Sequence, residues 1–298
     1  MNRRKAQVIQ KAHQLFIEKG YHATSIQDIL DLSGISKGSF YNYFSSKAEL
    51  FKAVFTAIHN ELKEKRDALL IGKDPADVDV FIQQVVLSMR ISRKNKLLQL
   101  VEDAQVSNEP ELIAFVKQTR FLFLKWAYHR FLDLFPEDRE PCLFDCAVMF
   151  TGMLQHFLQV NHEAGDPLEL EKIVEYTVRR TITLVEDVAQ HRAQLFLPSH
   201  ITFLMSNTFR HHFFNHKIST AALNLQKVVE RLPAKSDGKQ KDYLDLLRFI
   251  QQELMKTNPR RFLIDSALLS LEQAPSIRES QEFHAFKQII HSTLDSED

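Results

Sequence analysis

From residue 36 to residue 47 the chain reads Ser-Lys-Gly-Ser-Phe-Tyr-Asn-Tyr-Phe-Ser-Ser-Lys, and its polar side chains are cations, hydroxyls and an amide. Phe40 and Phe44, at i and i+4, are the one apolar stripe a short helix here can bury. The other face carries Lys37, Ser39, Tyr41, Asn42 and Tyr43, the kinds of group that reach phosphate oxygens and base edges in a major groove. This is recognition chemistry. No G-x-S-x-G, P-loop or dinucleotide fingerprint occurs anywhere in the chain, so an enzyme reading has no support and no cofactor is expected.

The preceding residues look built to position that face. Thr24 and Gln27 have capping-box spacing and predict a helix start, with Ile26, Ile29 and Leu30 as its buried side. Gly34 falls where the chain must turn, and glycine takes positive φ without a Cβ penalty. Ser36 then caps a second helix over about 36–44. Upstream, residues 3–19 predict a bracing helix buried through Val8, Ile9, Ala12, Leu15 and Phe16, with Gly20 just past its end. Its Arg3, Arg4 and Lys5 are candidates for phosphate contact. Together these segments read as a helix-turn-helix.

Gly20-Tyr21 and Thr24, followed by the run Gly34 to Leu50, resemble the DNA-binding signature of the TetR family of bacterial transcriptional regulators. The resemblance implies that Thr24 or Ser25, together with Lys47, meets the DNA backbone. It also implies that Ser36, Lys37, Gly38, Ser39, Tyr41, Asn42 and Tyr43 lie at or in the groove. Leu30 and Ser33 stand where the family usually has alanines, at the close approach of the two helices.

Composition fits an all-α protein. Seven glycines and nine prolines in 298 residues are few, and 298 residues suffice for more than one core. The net charge of zero hides an asymmetry. Residues 1–56 carry eight Lys/Arg against four Asp/Glu, and the remainder carries 30 against 34, so a polyanion is drawn to the head only. Two cysteines fit a reducing cytoplasm rather than a disulfide framework. No signal peptide or membrane span is expected.

Ser46 and Glu49 predict a second capping box and a long helix to about Leu70, a rod roughly 36 Å long, ending before Gly72. Asp74-Pro75 predicts the next helix, to about Arg90; another is expected over 93–105, and one from Pro110 to about Leu134. Pro141 opens a helix with Leu143, Ala147, Phe150, Leu154, Phe157 and Leu158 on one face. Asp166-Pro167 opens another with Leu170, Ile173, Val174, Thr177, Leu184 and Val188. By resemblance this pair packs against its twin in a homodimer, through Ala147, Phe150, Leu154, Phe157, Leu158, Ile173, Val174 and Thr177.

The expected organisation is a three-helix DNA-binding domain over 1–50, a helical effector-binding and dimerisation domain over 51–192, and an additional helical region over 195–298. Helices are expected there at 199–215, 219–232, 239–256, 260–273 and 276–293. Family resemblance implies a ligand cavity among the aromatic-rich helices after residue 110, with Phe115, Phe123, Trp126 and Phe150 as candidate linings for an apolar or aromatic effector. Cys142 with Cys146, and His212 with His216, share i, i+4 spacing, yet each pair lacks the further ligands that a metal needs, so no metal is expected. The functional expectation is a cytoplasmic homodimeric repressor released from a palindromic double-stranded operator by a small molecule. Its rivals are control by a protein partner through residues 195–298, and a helical interaction scaffold.

Overall fold

The structure, a computed structural model, describes residues 3–107, 109–119, 121–197, 200–201, 213–232, 237–254 and 259–294. The chain is 80% helical, with no strand among the described residues. It forms two compact units, Met1–Lys63 with Leu87–Leu122, and Glu64–Val86 with Phe123–Asp298.

The first unit opens with α1 (Arg3–Lys19), α2 (Ile26–Ser33) and α3 (Lys37–Tyr43). α4 (Lys47–Ala68) and α5 (Val78–Lys94) contribute to both units, and α6 (Leu97–Gln105) and α7 (Pro110–Thr119) complete the first. Val8, Ala12, Phe16, Ile29, Phe40, Phe44, Phe51, Leu100, Leu112 and Val116 share one buried core, so α6 and α7 close over the three-helix head. Gly20 and Gly34 adopt φ of +80° and +65°, as the turns require.

Several boundaries differ from expectation. The α2 capping box is Ser25 with Asp28, one residue later than Thr24 with Gln27, because the Thr24 hydroxyl turns inward to donate to the Gly20 carbonyl at 2.7 Å. At α4 the Ser46 hydroxyl accepts the Glu49 N–H at 3.0 Å, but the Glu49 carboxylate takes the N–H and hydroxyl of Ser45, at 2.5 and 2.6 Å. Asp77 rather than Asp74 caps α5, accepting from the Asp79 N–H at 2.8 Å. α5 continues to Lys94, and α6 begins only after Lys96, at φ +46°. The single helix expected from Pro110 to Leu134 is two, α7 and α8 (Leu122–Leu134).

The second unit holds α8, a 3-10 turn at Glu137–Arg139, α9 (Glu140–Glu163) and α10 (Leu170–Gln190). α10 starts three residues after Pro167, with Glu169 at the N-cap position but no side-chain hydrogen bond capping it. α9 and α10 pack along their length, joined at one end by an Arg139–Glu186 ion pair at 2.9 Å. The stretch Glu137–Glu163 has the length and apolar composition to cross a membrane, contrary to expectation. Half of its most apolar window is buried inside the protein, as befits the core helix of a helical body.

After residue 212 come α11 (Phe213–Glu230), α12 (Asp237–Leu254), α13 (Arg261–Leu271), the short α14 (Pro275–Arg278) and α15 (Gln281–Leu294). They bury a core of their own through Leu225, Val229, Ile250, Ile264, Leu271, Ile277, Phe283, Phe286 and Ile290. The helix expected over 199–215, with His211 and His212, lies largely outside the described residues, as do the side chain of His216 and residues 233–236.

Candidate nucleic-acid interface

α3 is seated by burial and capped by hydroxyls. Phe40 and Phe44 are fully buried, with ring centroids 5.8 Å apart. Ser36 accepts the Ser39 N–H at 3.2 Å and its hydroxyl meets that of Ser39 at 3.0 Å, so two of the expected groove residues also hold the helix start. Lys37, Gly38, Tyr41 and Asn42 are exposed, Tyr41 to 47%, and Ser39 and Tyr43 are half-buried. Within the protein, a Cβ on Gly38 would meet nothing closer than the Ser36 hydroxyl, at 4.0 Å. Packing therefore does not call for glycine there, although glycine weakens a helix by about 0.5–1 kcal/mol relative to alanine.

Lys47 is less free than expected. Its ammonium donates to the carbonyls of Tyr21 and Thr24, both at 2.9 Å, and sits 4.3 Å from the Tyr21 ring centroid. Burial lowers its pKa, while the charge of Glu109 acts the other way. Three N–H groups with two committed leave one for a phosphate. Thr24 is fully buried and offers DNA no hydroxyl, whereas Ser25 is exposed at the N-terminus of α2. Arg3 is exposed, and Lys5 lies 5.0 Å over the Phe44 ring. Lys19 and Lys52 are held by Asp28 and Glu111 at 2.8 and 2.9 Å, so the positive charge left to the outer face is concentrated near Lys37 and the start of α1.

Sequence reading missed two acids of this unit. Asp103 accepts the Tyr21 N–H at 3.0 Å, and Glu109 accepts the Tyr21 hydroxyl at 2.7 Å. Burial, then the hydrogen bond to Glu109, raises the Tyr21 pKa. Both acids are more than 80 residues from Tyr21 in sequence, and no local signal announces them.

Among the expected effector residues, Phe115 packs in the first unit, 5.4 Å from Phe55, and the other three belong to the second. Phe123, Trp126 and Phe150 cluster in the second unit with Phe81 and Phe131. A cavity of about 240 Å³ lies beside that cluster, lined by Val78, Phe81, Phe131, Phe135, Val178 and Ile182, with Glu186 among the lining residues.

The expected interface residues divide by burial. Ala147, Phe150, Leu154, Ile173, Val174 and Thr177 are all buried within their own chain, because α9 and α10 use that stripe against each other and the aromatic cluster. Of the eight, only Phe157 and Leu158 reach the surface, where Phe157 (41% exposed) meets Tyr176 (55%) edge-on at 5.8 Å, close to exposed Val160. Cys142 and Cys146 are buried free thiols, and burial pushes the latter up to about 12, far from a reactive thiolate. No cluster of three or more potential metal ligands occurs among the described residues.

Residues 8–54 match the family described as bacterial regulatory proteins, tetR family. Over 290 residues, 95% of this chain and 96% of the relative, the protein is 21% identical to the uncharacterized HTH-type transcriptional regulator YuxN of Bacillus subtilis, so the likeness extends through the C-terminal helices. It is 31% identical over 120 residues (38% of this chain, 52% of the relative) to the HTH-type transcriptional activator FasR of Mycolicibacterium smegmatis. It is 30% identical over 106 residues (32% and 48%) to the HTH-type transcriptional regulator TtgR of Pseudomonas putida. All three relatives are named as transcriptional regulators or activators.

Proposed function

We propose that this chain, a TetR-family transcriptional regulator, is a cytoplasmic homodimeric repressor that leaves a palindromic operator when a small apolar or aromatic molecule enters its second unit. The observation that carries the reading is the exposed face of α3: Lys37, Gly38, Tyr41 and Asn42 project from a helix whose two phenylalanines are locked in the core. Gly38, which internal packing does not require, fits a backbone that approaches DNA closely. Two such helices in a dimer would read major grooves about 34–36 Å apart.

Dimerisation is assigned to the outer edge of α9 and α10, where Phe157, Val160 and Tyr176 are exposed. The effector is assigned to the cavity between α5, α8 and α10. Because α4 belongs to both units, occupation of the second can tilt the head and shift the population away from the DNA-binding form. A second reading, control by a protein partner, is favoured by the independent core of α11–α15.

Genomic DNA fragments retained by the purified protein should share a palindrome, bound with an affinity that falls steeply with salt. Absence of a shared sequence would leave the scaffold reading. Deleting residues 195–298 separates the two regulators: small-molecule release survives the deletion under the first reading and is lost under the second.

A further inference from the structure

The cavity of about 240 Å³ beside the aromatic cluster has a buried floor and an exposed rim. Phe81, Phe131 and Thr181 are each at most 2% exposed, whereas Pro136 and Glu186 stand at the surface. Of the side chains that line it, only those of Thr181 and Glu186 carry polar atoms. The Thr181 hydroxyl gives its one hydrogen to the Thr177 carbonyl at 2.8 Å, so towards the cavity it can only accept. A carboxylate likewise only accepts. The lining side chains therefore offer acceptors and no donor.

Glu186 is not fully engaged. Arg139 reaches it through Nε at 3.2 Å and a terminal nitrogen at 2.9 Å, both at Oε2, and Oε1 has no partner among the described residues. The two side chains are 54% and 30% exposed, and a surface pair of this kind contributes little and yields readily to a competitor. Charge around the rim has one dominant sign. Pro136 runs into Glu137, Asp138, Arg139 and Glu140, and Val78 lies between Asp77 and Asp79. Arg179 and Arg180 of α10 are turned to Glu175, at 2.8 Å, and to the Tyr176 ring. The entrance thus favours cations over anions.

We propose that the effector is an organic cation, a protonated primary or secondary amine on an aromatic or branched aliphatic body of about ten heavy atoms, whose N–H groups donate to Glu186 while the body rests on Phe81 and Phe131. This deepens, and rests on, the reading of the second unit as an effector site. An apolar cavity of about 150 Å³ accepts benzene, which sets the size of the body. An ammonium brings donors and positive charge to a lining that has neither, and its hydrogen bonds to a carboxylate are charge-assisted. A carboxylate ligand would bring acceptors where acceptors already stand.

The test titrates the full chain with 3-phenylpropylamine, 3-phenylpropanol and 3-phenylpropanoate by calorimetry, while labelled operator fragments report DNA release. The amine should bind about tenfold or more tighter than the alcohol, with the acid weakest. Glu186→Gln should remove the preference for the amine. Arg139→Gln, which frees Oε2 and takes away the competing cation, should strengthen amine binding by about twofold or more. Both variants break the same ion pair, so a merely structural role would move binding in one direction. Both side chains are partly exposed, and either variant alone suffices if the other fails to fold. Equal binding of amine and alcohol, tighter binding of the acid, the same direction of change in both variants, or no binding by any of the three overturns the cation assignment. Release of DNA by the alcohol as readily as by the amine overturns it too, while leaving the effector reading intact. Saturable, Glu186-dependent binding of the amine without DNA release does the opposite: the cation site stands and the effector reading falls.

Discussion

Tyr21 is tied to Glu109 across 88 residues of chain, its hydroxyl donating to the carboxylate at 2.7 Å while its N–H is taken by Asp103. The loop between α1 and α2, which aims α3, is thus held from α6 and from the start of α7. Tyr21→Phe removes one hydrogen bond to a half-buried charged group and should cost about 1–3 kcal/mol in urea unfolding. Glu109→Ala added to Tyr21→Phe should then cost less than it does alone, by a coupling of at least 0.5 kcal/mol or so. Strict additivity would mean that the contact contributes nothing.

Acid should loosen the head before the rest of the protein. The Lys19 side chain, followed by the Ser25 hydroxyl, holds the Asp28 carboxyl well below the usual range, and the Ser45 hydroxyl, followed by the Ser45 N–H, lowers the pKa of Glu49. Each folded pKa lies below its unfolded value near 4, so on acidification the unfolded chain takes up the protons first. The contribution is therefore complete above about pH 5 and is lost as pH falls through 4 and below. Asp28→Asn combined with Glu49→Gln should lower stability at pH 7 and flatten its fall between pH 5 and pH 3. Parallel pH profiles for variant and parent would contradict both caps.

The surface of α9 and α10 separates assembly from folding. Phe157→Glu or Tyr176→Glu places a charge where each protomer is open, and sedimentation should show folded monomers. Leu154→Glu instead buries an unpaired carboxylate inside one chain, and should destabilise the protomer itself by about 3–5 kcal/mol. If Phe157→Glu and Tyr176→Glu remain dimeric, the interface lies elsewhere in the chain.

What was legible in the sequence was local. The i, i+4 pair Phe40 and Phe44, the positive φ of Gly34 and the Ser36 cap each depend on neighbours within one turn, and all are where the spacing puts them. The shift from Thr24 to Ser25 shows the limit of that reasoning: both hydroxyls suit a cap, and the inward bond of Thr24 to Gly20 decides between them. The gap between Thr119 and Leu122 has no glycine or proline to mark it. An apolar stripe such as Leu143–Leu154 says that a face is covered, not whether its own chain or a twin covers it. The Tyr21–Glu109 and Arg139–Glu186 pairs depend on tertiary packing, which periodicity does not encode.

Lys37 and Lys47 should fail in different ways when cut to alanine. Lys37 is exposed on the outer face of α3 and pairs with no acid among the described residues, so its loss should leave unfolding within about 0.5 kcal/mol of the parent. Operator binding should weaken by about 1–3 kcal/mol, with altered base preference, and Tyr41→Ala should behave likewise. Lys47 has two duties, two carbonyls of the α1–α2 loop and one remaining donor for phosphate. Lys47→Ala should weaken binding to all sequences alike and reduce the salt slope by about one. It should also lower stability by about 1–2 kcal/mol, because the Tyr21 and Thr24 carbonyls lose their donor. Binding and unfolding measured on the same preparations distinguish these cases. A Lys47→Ala protein with unchanged stability would mean that the ammonium belongs to DNA alone, and a Lys37→Ala protein with unchanged operator affinity would remove α3 as the reading helix.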